Sequence, residues 1–148
     1  MLRGSFPAKI DEKGRVKIPA DFRKILEEKY GEETDLYVTS PTGESVLIYP
    51  MSEWEQIEAK MLEPPKFTPE KQKFLRNTNY FGQVAQMDKQ GRVLIQPRLR
   101  EAAGITAEIN VMGNLNYLEV WDDQRFASLR AAEPYTSKDA QALAQLGL

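Results

Sequence analysis

The sequence predicts a mainly β protein with short helices, an α+β domain in which two similar halves close into one barrel about a pseudo-two-fold axis. Three observations predict it. First, Asp11-Glu12-Lys13-Gly14-Arg15-Val16-Lys17-Ile18 returns 77 residues later as Asp88-Lys89-Gln90-Gly91-Arg92-Val93-Leu94-Ile95, and the same offset sets Phe22-Arg23 against Leu99-Arg100. Second, the apolar runs are short and bounded by turn residues, as strands are. Third, a half with four short strands cannot bury both faces of its own sheet, whereas two halves closing on each other can. A chain of 148 residues is long enough for one unaided core.

The elements follow in order. Val16 and Ile18 open a strand just after Gly14, and Pro19 ends it where the helical spacing Phe22, Ile25, Leu26, Tyr30 begins. Gly31 stops that helix. Leu36–Thr39 and Val46–Tyr49 read as strands about the turn Pro41-Thr42-Gly43. Ser52 and Glu55 have the spacing of a capping box, opening a helix with Trp54, Ile57, Met61 and Leu62 on one face. The prolines of Glu63-Pro64-Pro65-Lys66-Phe67-Thr68-Pro69 forbid a continuous helix, so this is the linker between halves. Thr68 and Pro69 then cap and start a linker helix running to about Arg76.

The second half repeats the plan. Arg92–Ile95 is a strand, Pro97–Ala103 a helix closed by Gly104, Ile109–Met112 and Tyr117–Trp121 are strands, and Asp122 caps a helix through Phe126 and Leu129. In this part the offset slips to 72, matching Ile48-Tyr49 and Trp54 with Val120-Trp121 and Phe126. The aromatics Phe22, Tyr49, Trp54, Trp121 and Phe126 are expected in the core. The Ala/Gln-rich tail from Pro134 is either a frayed helix or disordered.

Composition narrows the chemistry. The chain has no Cys and no His, which excludes Cys/His zinc sites, Ser-His-Asp and Cys-His nucleophiles and histidine switches. No phosphate-binding glycine loop is present, and no cofactor, metal or small-molecule substrate is indicated. An N-terminus without an apolar core segment and no membrane-length apolar run lead us to expect a soluble, cytoplasmic protein.

The formal net charge is −2, unevenly distributed: residues 1–30 sum to +3, 31–65 to −7, 66–100 to +6 and 101–148 to −4. A fold that gathered the basic blocks on one face could bind a polyanion; otherwise the mixed charge only solvates the surface.

The Asp-x-x-Gly-Arg repeat is the strongest local signal. Asp first and Gly fourth suit a type I turn whose carboxylate accepts backbone N–H bonds, with a left-handed Gly supplying a bulge. Turn chemistry accounts for Asp and Gly but does not demand Arg next, twice. One reading has Arg15 and Arg92 thrown out at the hairpin mouths, offering guanidinium forks to phosphates or guanine edges, with Lys13, Lys89, Arg23 and Arg100 nearby. The other has each Arg pairing with its own turn Asp. A third, in which Asp11 and Asp88 hold Mg²⁺ or divide acid and base roles, fits poorly with carboxylates beside cations and already used by their turns.

Met1-Leu2-Arg3-Gly4-Ser5-Phe6, Asp11-x-x-Gly14-Arg15-x-x-Ile18-Pro19-Ala20-x-Phe22-Arg23, Tyr49-Pro50-x-x-Glu53-Trp54, Asp88-Lys89-Gln90-Gly91-Arg92-x-x-Ile95 and Glu119-Val120-Trp121, in this order, closely resemble the MraZ family of bacterial transcriptional regulators. The resemblance covers residues 1 to about 130. It implies two tandem SpoVT/AbrB-like repeats, at 1–62 and 80–130, with a linker at 63–79 and a tail at 131–148. It also implies a swapped-hairpin AbrB-like barrel, closed homo-oligomeric rings and association with the nucleoid. The implied partner is double-stranded DNA, at repeated promoter boxes of the division and cell-wall gene cluster, with repression as the expected outcome.

In that family the Asp-x-x-x-Arg element contacts DNA, and it falls here on Asp11 with Arg15 and on Asp88 with Arg92. Lys13, Lys89, Arg3, Arg23 and Arg100 would attract phosphates or in part pack the fold. Gln96 in place of a second Pro, the added Lys9 and Lys17, and the tail beyond Glu133 depart from the family pattern. The alternative from another class is an oligomeric protein-interaction module of the antitoxin type.

Overall fold

The computed structural model describes residues 1–148. Its elements are β1 (Ser5–Lys9), β2 (Arg15–Lys17), α1 (Ala20–Tyr30), β3 (Leu36–Thr39), β4 (Val46–Pro50), α2 (Met51–Leu62), α3 (Pro69–Tyr80), β5 (Gln83–Ala85), β6 (Arg92–Leu94), α4 (Pro97–Ala102), β7 (Glu108–Gly113), β8 (Leu118–Asp122), α5 (Asp123–Ala132) and α6 (Ser137–Ala144). The class is mixed α+β, as expected. Two caps read from the sequence are present: Thr68 Oγ1 accepts from Lys71 N–H, and Asp122 accepts from Arg125 N–H. The capping box at Ser52 is not. Pro50 closes β4 and itself occupies the N-cap position of α2, so Ser52 falls inside the first turn. The tail does form a helix, α6, opened by a capping box of Thr136 and Asp139, and α3 runs on to Tyr80.

The sheet is not a closed barrel. Six strands form an open antiparallel sheet in the order β1-β7-β8-β4-β3-β5, and β2 pairs with β6 in a separate two-stranded ribbon. In the β1–β2 hairpin the Ile10–Val16 bridge and the Asp11 N–H to Arg15 O bond at 3.0 Å remain, while Arg15 N–H goes to Asp11 Oδ1. β2 then leaves β1 and pairs with β6 instead.

The pairing exchanges strands between halves. β1 pairs with β7, β5 with β3 and β4 with β8, so only β3–β4 and β7–β8 are contained within one half. In the ribbon, Val16 lies opposite Val93, its own equivalent at the 77-residue offset. In the sheet, Leu47 lies opposite Glu119, its equivalent at the offset of 72. The pseudo-dyad therefore runs through these two pairs. Between them lies a core of 18 buried residues. Sixteen are equivalent pairs: Val16/Val93, Ile18/Ile95, Phe22/Leu99, Leu26/Ala103, Leu36/Ile109, Val38/Val111, Val46/Leu118 and Ile48/Val120.

The other sheet face carries the aromatics. Trp54 of α2 stacks on Tyr37 at 4.8 Å and on Phe74 of α3 at 6.0 Å, and Tyr49 stacks on Tyr117 at 4.4 Å. Tyr49, Trp54 and Trp121 are buried, but Phe126 only half-covers Trp121 from α5. Glu53 of α2 accepts the Tyr30 hydroxyl at 2.9 Å; burial and that carboxylate push the phenol up to about 12. The acidic α2 thus covers the sheet face that points away from the ribbon. No helix is long and apolar enough to cross a membrane.

Candidate nucleic-acid interface

Each ribbon strand is preceded by its Asp turn, and the two turns are built alike. Gly14 N–H donates to Asp11 O at 3.0 Å and Gly91 N–H to Asp88 O at 2.9 Å, with φ of +82° and +75° at the two glycines. Asp11 Oδ1 accepts from Lys13 N–H at 3.0 Å and Arg15 N–H at 2.8 Å. Asp88 Oδ1 accepts from Gln90 and Arg92 N–H, both at 2.9 Å.

The arginines differ from expectation in direction. They are not thrown outward but folded back on their turns: Arg15 Nε donates to Asp11 Oδ2 and Arg92 Nε to Asp88 Oδ2, each at 2.8 Å. Because the ribbon sets Arg15 and Arg92 on one face as diagonal neighbours, each also reaches the other turn. Arg15 Nη1 lies 3.9 Å from Asp88 Oδ2, and Arg92 Nη1 lies 4.0 Å from Asp11 Oδ2. The four groups make one reciprocal cluster on the pseudo-dyad, with the arginine side chains 27% and 30% exposed. The backbone N–H of Arg15, then its guanidinium, holds the Asp11 carboxyl below its usual value despite some desolvation. Arg92 does the same to Asp88.

This pairing uses Nε for the hydrogen bonds and turns Nη1 toward the carboxylate of the other turn. Neither Arg15 nor Arg92 donates an Nη hydrogen bond within the chain, and Nη2 of each guanidinium has no ion-pair partner either. Beside the forks stand the exposed side chains of Lys13, Lys17 and Lys89, with Lys9 on the adjoining strand. At the ribbon's second strand, Leu94 takes the place that Lys17 has on the first, 42% exposed.

The remaining basic candidates go elsewhere. Arg23 and Arg100 lie behind the turns, against Gly91 and Gly14 respectively. Arg3 sits at the far end of β1, beside the bridge Leu2–Leu115, about seven extended residues or roughly 20 Å from the turn. The +6 block of residues 66–100 is divided by the fold. Lys66, Lys71, Lys73 and Arg76 belong to the linker and α3, on the α2 side, where Lys71 Nζ donates to Glu63 O at 2.7 Å. Lys89, Arg92 and Arg100 lie at the ribbon and its turns, whereas Arg98 lies against the end of α3, stacking on Tyr80 at 4.2 Å and donating to Tyr80 O at 3.0 Å.

Sequence comparison decides the kinship. A family model described as "MraZ protein, putative antitoxin-like" matches residues 1–77 and 83–146. The chain belongs to the MraZ family. Proteins named transcriptional regulator MraZ are 45% identical in Acidobacterium capsulatum and 46% in Koribacter versatilis, each over 148 residues and the whole of both chains. One from Syntrophobacter fumaroxidans is 39% identical over 121 residues, 82% of this chain and 79% of its own. These MraZ relatives carry the name of a regulator and not of an enzyme. The likeness also extends further than residue 130: the family match runs to 146, so α5 and α6 are part of the shared chain.

Proposed function

We propose that this MraZ protein is a sequence-specific, double-stranded-DNA-binding transcriptional regulator that engages DNA through the outer face of the β2–β6 ribbon. The observation that carries the proposal is the reciprocal Asp11–Arg15–Asp88–Arg92 cluster, which holds two guanidinium groups at fixed positions with the Nη2 donor of each unpartnered. An arginine immobilised through Nε loses little entropy when its outer edge meets the O6 and N7 acceptors of guanine. Arg15 and Arg92 therefore serve as base readers, with Asp11, Asp88, Gly14 and Gly91 as the frame that aims them. Lys13, Lys89 and Lys17 contact phosphates and set register, and Arg3 adds attraction for flanking backbone.

The names of the relatives support a regulator. Expected targets are repeated promoter boxes of the division and cell-wall gene cluster, with repression as the outcome and the cytoplasm and nucleoid as the setting. The strand exchange between halves agrees with SpoVT/AbrB-like kinship. Self-assembly into a ring would present many ribbons at once and raise affinity for tandem boxes through effective concentration. The uncovered Leu62, Phe67, Leu143 and Leu146 are surface of the kind that self-association buries.

The test is a mobility shift with the promoter region beside scrambled DNA at several salt concentrations. Specific, salt-sensitive retardation is expected, lost in Arg15→Ala while the thermal midpoint stays near that of the parent. Equal or absent binding to both DNAs, together with a co-purifying protein, would instead favour the antitoxin-type interaction module that the family description suggests.

A further inference from the structure

We infer that Arg23 and Arg100 are positioning residues that act across the boundary between halves, each setting the Asp turn of the opposite half rather than touching DNA itself. The inference rests on the DNA-binding reading for its functional consequence, but its geometry stands without it.

Arg23 is carried by α1 of the first half, yet it lies on the second turn. A Cβ built on Gly91 would come within 2.9 Å of Arg23 Cδ and 3.1 Å of Nη1. Arg23 Nη2 donates to Lys89 O in that turn at 3.0 Å, while Glu27 Oε1 holds Nε at 2.8 Å. Arg100, on α4 of the second half, lies on the first turn, where a Cβ on Gly14 would overlap its guanidinium carbon and Nε. Arg100 Nε donates to Ile95 O at 2.8 Å, and Ile95 N–H in turn donates to Gly14 O at 2.9 Å. Arg100 thus clips the backbone link that ties the first turn to the second ribbon strand.

At these two turn positions glycine, already favoured by its left-handed φ, also leaves the space that the arginine occupies. The missing side chain is the seat of an arginine from the other half. Arg23 has given Nε to Glu27 and Nη2 to Lys89 O, so a phosphate would have to compete with both, while Arg100 has given Nε to Ile95 O and is set apart by the packing of its guanidinium on Gly14. The two clips are unequal. Arg23 has Glu27 one helical turn on, whereas the equivalent position after Arg100 is Gly104, so the Asp88 turn is the more firmly held.

Two readouts on the full chain test this. Amide hydrogen exchange needs no DNA: Arg100→Ala should speed exchange at Lys13, Gly14 and Arg15, and Arg23→Ala at Gln90, Gly91 and Arg92, about fivefold for loss of one hydrogen bond. Glu27→Gln, which keeps Arg23, should loosen the Asp88 turn alone and guards against a variant that fails to fold. Exchange changed only in the variant's own half, or in neither, overturns the inference.

The second readout is the dependence of promoter affinity on salt. Loss of a phosphate contact lowers the slope of log K against log salt by about one, as expected for Lys13→Ala. Arg23→Ala and Arg100→Ala should weaken specific binding with the parent's slope; a slope lower by about one would make them phosphate contacts. If the parent protein binds no DNA, the functional proposal fails while the exchange result still decides the positioning role.

Discussion

Among single residues, Asp11 and Asp88 organise the two turns, each carboxylate accepting three hydrogen bonds, two from turn amides and one from an arginine Nε. Both carboxyls lie below their usual value, held there first by the backbone N–H of Arg15 and Arg92. A depressed folded-state pKa contributes stability that is present above the unfolded value, about 3.9, and lost as pH falls through the folded one. The thermal midpoint of the parent should therefore decline below about pH 4. The double variant Asp11→Asn, Asp88→Asn should show a flatter acid limb, and an unchanged limb would mean that other carboxylates dominate.

The turns themselves were legible because Asp first and Gly fourth act locally, within five residues. Whether Arg15 points out or folds back was not, since both outcomes use the same residues at the same spacing. The seats of Arg23 and Arg100 were further out of reach. Their repetition at the 77-residue offset marks them as equivalent, but only the pairing of β2 with β6 brings each against the opposite glycine.

Among the elements, the equivalent helices α1 and α4 differ in what they bury. Phe22 and Leu26 fill the first half of the core where Leu99 and Ala103 fill the second, and α4 is shortened by the glycine at 104. Phe22, 1% exposed and set edge-on to Phe6 at 5.1 Å, is the larger member of its pair. Phe22→Ala should cost about 3–5 kcal/mol in denaturant unfolding, beyond what truncating Leu99 should cost, about 2–5 kcal/mol, because it leaves the bigger cavity. By contrast α6 buries nothing: every residue from 133 to 148 is exposed. Removing residues 134–148 should leave the unfolding free energy within about 0.5 kcal/mol of the parent, a prediction checked by the same titration. Helix and strand positions followed from hydrophobic spacing and turn residues, while the cap at Ser52 did not survive because Pro50 started its helix two residues earlier.

For the whole molecule, the consequence of strand exchange is that neither half can fold by its own pairing. Without residues 81–148, β1, β2, β3 and β4 lose β7, β6, β5 and β8 respectively. A fragment of residues 1–80 should show no cooperative unfolding as a monomer, and mixing it with 81–148 should restore the transition; a cooperative monomeric fragment would contradict the exchanged topology. The duplication was legible as a fixed offset, and it correctly implied a shared core. The closed barrel was not borne out, because closure depends on which strand takes β2 as its neighbour, and β2 pairs with β6 in a ribbon outside the sheet.

The pseudo-dyad joins unequal halves of one chain: Lys17 corresponds to Leu94, Glu12-Lys13 to Lys89-Gln90, and a Glu27-anchored arginine to one without its anchor. A dyad made by two identical chains obliges the sequence it reads to be palindromic. A dyad whose two sides have been free to diverge carries a head and a tail. On the proposed DNA-binding reading, such a ribbon would lie on its site in one orientation, and successive copies along a strand would all point the same way.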